Sequence, residues 1–223
     1  MTSQMDEAGR LAAPAEMAAR FGLRPGAGVK FEEEAGSRRR RRRRPVTHLA
    51  RLYIEPTARC NLNCRTCIRN VWDETPGDMT DATFSAVLDG LSAFAPPPTV
   101  FFGGFGEPPA HRRIVEMAAA VKALGCPVEL TPAPTGRCGV TNGILLTEKT
   151  SRDLIEAGLD QLWVSLDGAR PESYADVRLG AALPTVLANL GRFSDLRSPR
   201  RPRRPEIGIA FVTMRRNIAD LPA

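Results

Sequence analysis

The chain has 223 residues, 43% of them hydrophobic, and carries 31 Lys and Arg against 25 Asp and Glu for a formal charge of +6. That length allows one substantial core, no apolar run approaches the roughly 18 residues of a membrane span, and the N-terminus lacks the charged start and apolar centre of a signal peptide. The positive charge is local: seven residues form the run Arg38 to Arg44, and Arg197, Arg200, Arg201, Arg203 and Arg204 lie in or beside SPRRPRRP, so removing these twelve turns +6 into −6. An acidic body argues against nucleic acid as the partner and, with no membrane segment, the expected location is cytoplasmic.

In chain order, residues 1–48 combine a short amphipathic stretch around Glu16 to Phe21, Gly/Pro punctuation, the acidic Glu32 to Glu34 and the Arg run. None of these packs a core, and the segment is expected to be a disordered Arg-rich leader to a folded unit over 49–223. From Leu49 onward, short apolar runs alternate with helical patterns, as in βα units building a parallel sheet. LARLYIEP predicts a strand ending at Pro56. Asp81 to Phe94 predicts a helix with Thr80 as N-cap, its apolar face made of Phe84, Val87, Leu88 and Leu91. Thr99 to Phe102 predicts a second strand, Arg113 to Leu124 a helix closed by Gly125, and Val128 to Leu130 a third strand interrupted by TPAPTGRCG before Val140 leads into TNG. A helix from Glu148 to Ala157 follows, capped by Thr147 and ended by Gly158; then come the strand QLWVSLDG, a helix near Ala182 to Leu196, and a last strand GIAFVTM. The expected fold is α/β, with about five parallel strands and flanking helices and every special cluster at a strand's C-terminal end. In parallel α/β folds, ligands bind at that edge.

The loop after the first strand contains CNLNCRTC, a CxxxCxxC spacing that lets Cys60, Cys64 and Cys67 point at one iron-sulfur cluster while one iron keeps no protein ligand; ferredoxin patterns spend four cysteines instead. A zinc knuckle is the other reading of three crowded cysteines. GGFGEPP, Gly103 to Pro109, follows a strand, where glycines let the backbone approach a ligand. Read alone, it is also a glycine-rich turn, and TNG an ordinary asparagine-glycine turn. Cys126 reads as a core residue, Cys138 as an exposed thiol, and His48 and His111 as solvated or packed. No Ser/His/Asp arrangement or phosphate-binding loop is present.

Taken together, these motifs resemble the radical S-adenosylmethionine (SAM) superfamily. CxxxCxxC matches its cluster loop, GGFGEP its GGE motif, Thr141, Asn142 and Gly143 its TNG, Ser165, Asp167 and Gly168 its SLDG, and Arg178 in DVRLGA the arginine of its DxxRG-like stretch. The pairing of IEPTARCNLNCRTCIRNVW with GGFGEP is similar to the SPASM and molybdenum-cofactor-biosynthesis branch, and within it to maturases encoded with tungsten-dependent aldehyde oxidoreductases. The resemblance implies a partial (β/α) TIM-like barrel, a [4Fe-4S] cluster on Cys60, Cys64 and Cys67, and SAM as second cofactor. It implies reductive cleavage of SAM to a 5′-deoxyadenosyl radical, with an electron donor such as flavodoxin or ferredoxin. Gly104, Gly106 and Glu107 would then orient the amino end of SAM, with Thr141 and Asn142 beside them, and Ser165, Asp167 and Arg178 its carboxylate or ribose. The implied role is maturation of a tungsten-dependent oxidoreductase, its cofactor or a peptide; no residue is assigned as the substrate's acid or base.

The sequence departs from the family in places. Thr66 stands where an aromatic residue is common, a shielding role Trp72 is placed to take unless it belongs to the core. TPAPTGRCG splits the third strand, and the sixth strand and cysteine-rich C-terminal region of the relatives do not follow the fifth. The alternative readings are a truncated inactive fragment, and a zinc- or nucleic-acid-binding module built on the cysteines and Arg tracts.

Overall fold

The structure, a computed structural model, describes residues 48–130, 140–197 and 204–221 and, within the first 47, the backbone of four short strands. Contacts divide the chain into two units, Met1–Thr47 and His48–Ala223. In the first, β1 (Gln4–Met5) pairs antiparallel with β2 (Leu11–Ala12), and β3 (Val29–Glu34) with β4 (Ser37–Arg42) in a register that sets Glu33 opposite Arg38. The remainder of the expected leader, including the amphipathic stretch around Glu16 to Phe21, lies outside the described residues.

The second unit is built on five strands: β5 (Arg51–Ile54), β6 (Thr99–Phe102), β7 (Val128–Leu130), β8 (Gln161–Ser165) and β9 (Glu206–Ala210). They lie side by side in chain order, every neighbouring pair parallel. Parallel neighbours require a crossover at each step. The crossovers carry α1 (Asp81–Leu91), α2 (Ile114–Ala123), α3 (Glu148–Glu156) and, between β8 and β9, α4 (Pro171–Val177) and α5 (Leu183–Leu196). This is the parallel α/β sheet expected from the alternation of runs, in the arrangement of the partial (β/α) barrel that the family resemblance implies.

Strand alternation decides which side the helices cover. Ile54, Val100, Phe102, Val128, Leu130, Leu162 and Val164 join one core cluster with helix residues such as Phe84, Met117, Val121, Leu154, Val186 and Phe193. Burying each large apolar side chain contributes roughly 1.5–3 kcal/mol, so this face holds the sheet to its helices. The intervening positions face the other way: Tyr53 stacks on Phe101 at 4.9 Å, and the Arg51 guanidinium lies 5.1 Å from the centre of the Phe101 ring.

The helix ends follow local chemistry. Thr80 Oγ1 accepts from Thr83 N and Thr147 Oγ1 from Thr150 N, each satisfying an N–H at the start of its helix. Gly125 and Gly158 close α2 and α3 at φ of +80° and +84°, a backbone conformation that costs glycine nothing. α1 ends at Leu91 rather than Phe94, because Ala93 and Phe94 donate back only three residues, to Gly90 and Leu91, and tighten the last turn. α4 was absent from the sequence reading; it begins at Pro171 and buries Tyr174 and Val177, one turn apart. The last strand occupies Glu206–Ala210 and not the expected 208–214, since Val212 N donates to Asp167 Oδ1 and Met214 N to Asn217 Oδ1 instead of to the sheet. The split third strand resumes at Thr141, which bridges Val164 in parallel; the insertion itself, 131–139 with Cys138, lies outside the described residues.

Candidate functional site

The C-terminal ends of β5, β6, β7 and β8 converge on one open cavity of about 320 Å³. It is lined by Cys60, Cys64, Cys67 and Arg69 together with Gly104, Gly106, Glu107 and Asn142. Ser165, Asp167 and Arg178 complete the wall, so every residue expected at the site lines it except Thr141, which is fully buried behind it.

The cysteine loop leaves β5 at Pro56 and is braced at its entry. Thr57 Oγ1 donates to Asp78 Oδ1 at 2.6 Å and accepts from Arg59 N at 3.0 Å, while Ala58 N donates to Gly77 O and Met79 N to Pro56 O. Further along, Asn63 N and Arg65 N donate to Leu179 O and Val177 O, tying the loop to the end of α4. Leu62 and Cys64 are buried, whereas Asn61, Asn63, Arg65 and Thr66 between and beside them are exposed. Cys67 leads into a 3₁₀ turn, Ile68–Val71, none of whose residues is buried. Burial pushes the Cys60 and Cys64 thiols up, opposed at Cys60 by Leu62 N and at Cys64 by the Arg178 guanidinium. Among the described residues, no three His, Cys, Asp or Glu side chains stand close enough to hold one metal ion. A polynuclear cluster makes a different demand, because each thiolate bonds its own iron.

The glycine loop following β6 sits directly against that entry. Gly104 has φ +144°, and a Cβ on it would fall 2.4 Å from the Glu55 carboxylate; on Gly106 it would fall 2.0 Å from Thr57 O. Both positions therefore exclude a side chain, as a close backbone approach requires. Glu55 Oε1 accepts from Phe105 N at 2.6 Å and from Gly106 N at 3.3 Å, and Glu107 N donates to Arg59 O at 2.8 Å.

The Glu107 side chain turns away from solvent. One oxygen accepts from Thr141 Oγ1, the other from Asn142 N at 2.9 Å, and the residue is 2% exposed. Burial pushes its carboxyl up to about 7, against the opposing pull of those two bonds. Asn142 Nδ2 reaches across to Asn61 Oδ1 at 2.8 Å and approaches Cys60 Sγ at 3.8 Å, so the TNG turn touches the cysteine loop. Thr141 serves as a brace rather than as wall.

Beyond β8, Asp167 is fully buried and its Oδ2 lies 2.5 Å from Arg178 Nη2. The pair is close but poorly directed: Asp167 Oδ2 and Arg178 Nε have no well-aligned hydrogen bond, and neither has the Tyr174 hydroxyl, whose titration burial pushes up to about 12. Buried polar groups left this way cost stability unless something satisfies them. The C-terminal segment holds the turn from behind, with Asn217 Nδ2 donating to Asp167 O. Arg178, which taken alone reads more readily as a surface arginine, has 13% of its side chain exposed and brings Nη1 to 3.7 Å from Cys64 Sγ. The unsatisfied groups, the side-chain-free glycine backbone and three thiols on one cavity fit a thiolate-bound cluster with a polar, charged ligand beside it.

Sequence reasoning missed Glu55, Asn61 and Arg69. Glu55 had one signal, a carboxylate at a strand's C-terminal end; Arg69 belongs to the stretch after the third cysteine that carries the finer resemblance but had no site role, and Asn61 stands among polar loop residues that nothing local distinguishes. Trp72 does not line the cavity but packs edge-on against Phe105, ring centres 5.1 Å apart. His111 is buried, its Nδ1 accepting from Arg113 N; His48 is exposed and Cys126 is a core residue.

Residues 54–204 match the family model described as Radical SAM superfamily. Over 172 residues, 77% of the chain and 46% of the relative, the sequence is 33% identical to the tungsten-containing aldehyde ferredoxin oxidoreductase cofactor-modifying protein of Pyrococcus furiosus. It is 27% identical over 75% of the chain to Fe-coproporphyrin III synthase of Methanosarcina barkeri, covering 38% of that protein. Among solved structures, Streptococcus suis SuiB bound to its precursor peptide SuiA matches 78% of this chain and 36% of SuiB at TM-score 0.55 and 16% identity. BtrN in complex with AdoMet and 2-DOIA matches 73% of this chain and 56% of BtrN at TM-score 0.51 and 20% identity. These structural likenesses speak to the fold. The chain spans less than half the length of the two curated relatives.

Proposed function

The chain belongs to the radical SAM superfamily of enzymes, and from that premise we propose that residues 49–223 form a core in which Cys60, Cys64 and Cys67 hold a [4Fe-4S] cluster beside bound SAM. The observation that carries the reading is the shared cavity: the three thiols line it together with the glycine loop, Asn142, Ser165, Asp167 and Arg178. Three cysteine ligands leave a fourth iron open to SAM. Once reduced by an electron donor, such a cluster would pass one electron to the sulfonium of bound SAM, whose bond from sulfur to C5′ would break to leave methionine and a 5′-deoxyadenosyl radical.

The protein's share is positioning and exclusion. Gly104 and Gly106 present bare backbone to the amino end of SAM. Glu107 orients that end indirectly, since both its oxygens are engaged by Thr141 and Asn142; it fixes the glycine loop to the TNG turn. Ser165 offers a hydroxyl and Arg178 a cation to the carboxylate or ribose, with Asp167 holding the guanidinium against the cavity wall.

The relative from Pyrococcus furiosus is named for modifying the cofactor of a tungsten-containing oxidoreductase. On that likeness the substrate is a tungsten-dependent oxidoreductase, its cofactor or a peptide, and the electron donor a flavodoxin or ferredoxin. Among the described residues no helix is long and apolar enough to cross a membrane, and a reducing cytoplasm would keep the three thiols free for iron.

The test is anaerobic reconstitution with iron and sulfide, reduction by dithionite in the presence of SAM, and chromatographic assay of 5′-deoxyadenosine. The wild-type chain is expected to produce it, and Cys64→Ala to fall to the protein-free background. A chain that takes up zinc but no iron-sulfur cluster would overturn the reading.

A further inference from the structure

The three thiols meet different donors. Cys60 Sγ faces neutral groups, Leu62 N at 3.5 Å and Asn142 Nδ2 at 3.8 Å. Cys64 Sγ faces Arg178 Nη1 at 3.7 Å, but that guanidinium is already paired with the buried Asp167 carboxylate. Cys67 Sγ receives the shortest of these contacts, from Arg69 Nε at 3.3 Å.

The second hydrogen bond of Arg69 goes to a carbonyl: Nη2 donates to Leu62 O at 2.7 Å. Its positive charge is thus delivered to the thiol without an intervening carboxylate. The bond to Leu62 O also spans the loop from the residue before Asn63 to the one after Ile68, and Asn70 Nδ2 donates to Cys64 O at 2.9 Å beside it. A planar guanidinium can serve thiol and carbonyl at once because its donors are fixed in a fork; a lysine ammonium presents one point of charge. Hydrogen bonds to the ligating sulfurs and nearby charge are among the means by which a protein sets a cluster's reduction potential. A cationic donor stabilises the form with the extra electron, and charge-assisted bonds are the stronger ones.

We propose that Arg69 is the positioning residue that raises the reduction potential of the cluster, by donating from Nε to the Cys67 thiolate while Leu62 O holds its guanidinium in place. The proposal rests on the reading that these cysteines carry a [4Fe-4S] cluster.

The experiment is a redox titration of the reconstituted full chain, followed by electron paramagnetic resonance without SAM, on wild type, Arg69→Gln, Arg69→Lys and the control Arg65→Gln. Arg65 lies in the same loop, but its guanidinium contacts Asp176 and no sulfur. At the wild-type midpoint, Arg69→Gln is expected to lower the ratio of reduced to oxidised cluster about tenfold, about 59 mV for one electron. Arg69→Lys is expected to fall between, and Arg65→Gln to match wild type. A loaded Arg69→Gln protein that titrates like wild type overturns the proposal, as does an equal shift in Arg65→Gln. If Arg69→Gln fails to load, the Lys variant decides: a lower potential supports the role, an unchanged one overturns it. Wild-type protein that binds no iron-sulfur cluster overturns the parent reading and this one with it.

Discussion

The two walls of the cavity are built differently. Glu107, Asn142, Ser165 and Asp167 are each at most 3% exposed, and the buried Thr141 behind them ties the ends of three strands together. The cysteine loop, 57–72, keeps only a 3₁₀ turn; half of its residues are exposed, and Thr57, Leu62 and Cys64 are its buried anchors. One wall is closed by the protein's own packing; the other alternates buried anchors with exposed residues and is held to the end of α4 by the bonds from Asn63 N and Arg65 N. In metal-binding loops, binding free energy can supply order that packing does not.

The difference can be broken most sharply by comparing Gly106→Ala with Cys64→Ala in the iron-free chain. A Cβ on Gly106 would press on backbone at Thr57 and Arg59, which cannot swing aside as a side chain tip can. The expected loss is on the order of 3–5 kcal/mol, in the range of severe strain. Cys64→Ala removes one small sulfur from a buried position and is expected to cost about 1 kcal/mol without iron. Thermal unfolding of both reads the contrast, and equal losses would mean that the cysteine loop is as much a part of the packed fold as the other wall.

Acidity sharpens the comparison at the next level. Glu107 has its carboxyl raised from 4.5 to about 7, chiefly by burial. Between those values the native state keeps a proton that the unfolded chain has released, so the stabilisation is full below pH 4.5 and is lost as pH rises through about 7. Glu107→Gln is expected to flatten that slope in urea unfolding midpoints measured from pH 5 to 8. An unchanged slope in the variant would show that Glu107 is not what ties the packed wall to pH.

How much of this was legible beforehand differs between the same two regions. The five strands showed as short apolar runs, and Thr80, Thr147, Gly125 and Gly158 marked helix ends where the structure has them. The motifs located the cavity because each follows a strand in a parallel sheet. Their inner wiring was not readable: Glu107, expected to help orient the amino end of SAM, has both carboxylate oxygens bonded to residues 34 and 35 positions away. Glu55 and Gly106 are 51 residues apart, and no periodicity encodes such a bond. The last strand was misplaced for a similar reason, since Val212 N finds a distant side chain, Asp167, in place of a sheet neighbour.

Asp78 offers the smallest and most discriminating change. Its carboxylate accepts from Thr57 Oγ1 and lies 3.4 Å from Arg59 Nε, pinning the entry of the cysteine loop from a partly exposed position. Exposed pairs of this kind are worth about 0–1 kcal/mol, so Asp78→Ala should move the global unfolding midpoint little. If the loop is a separately ordered element, however, losing its pin should speed amide exchange across 57–72 while leaving 103–107 and 141–143 as slow as before, since local opening is governed by local bonds. Iron-sulfur loading should then slow exchange in 57–72 in the wild type and restore it in part in the variant. Exchange that accelerates equally on both walls would show that the two open together, and that the cluster loop is not a separately ordered element at all.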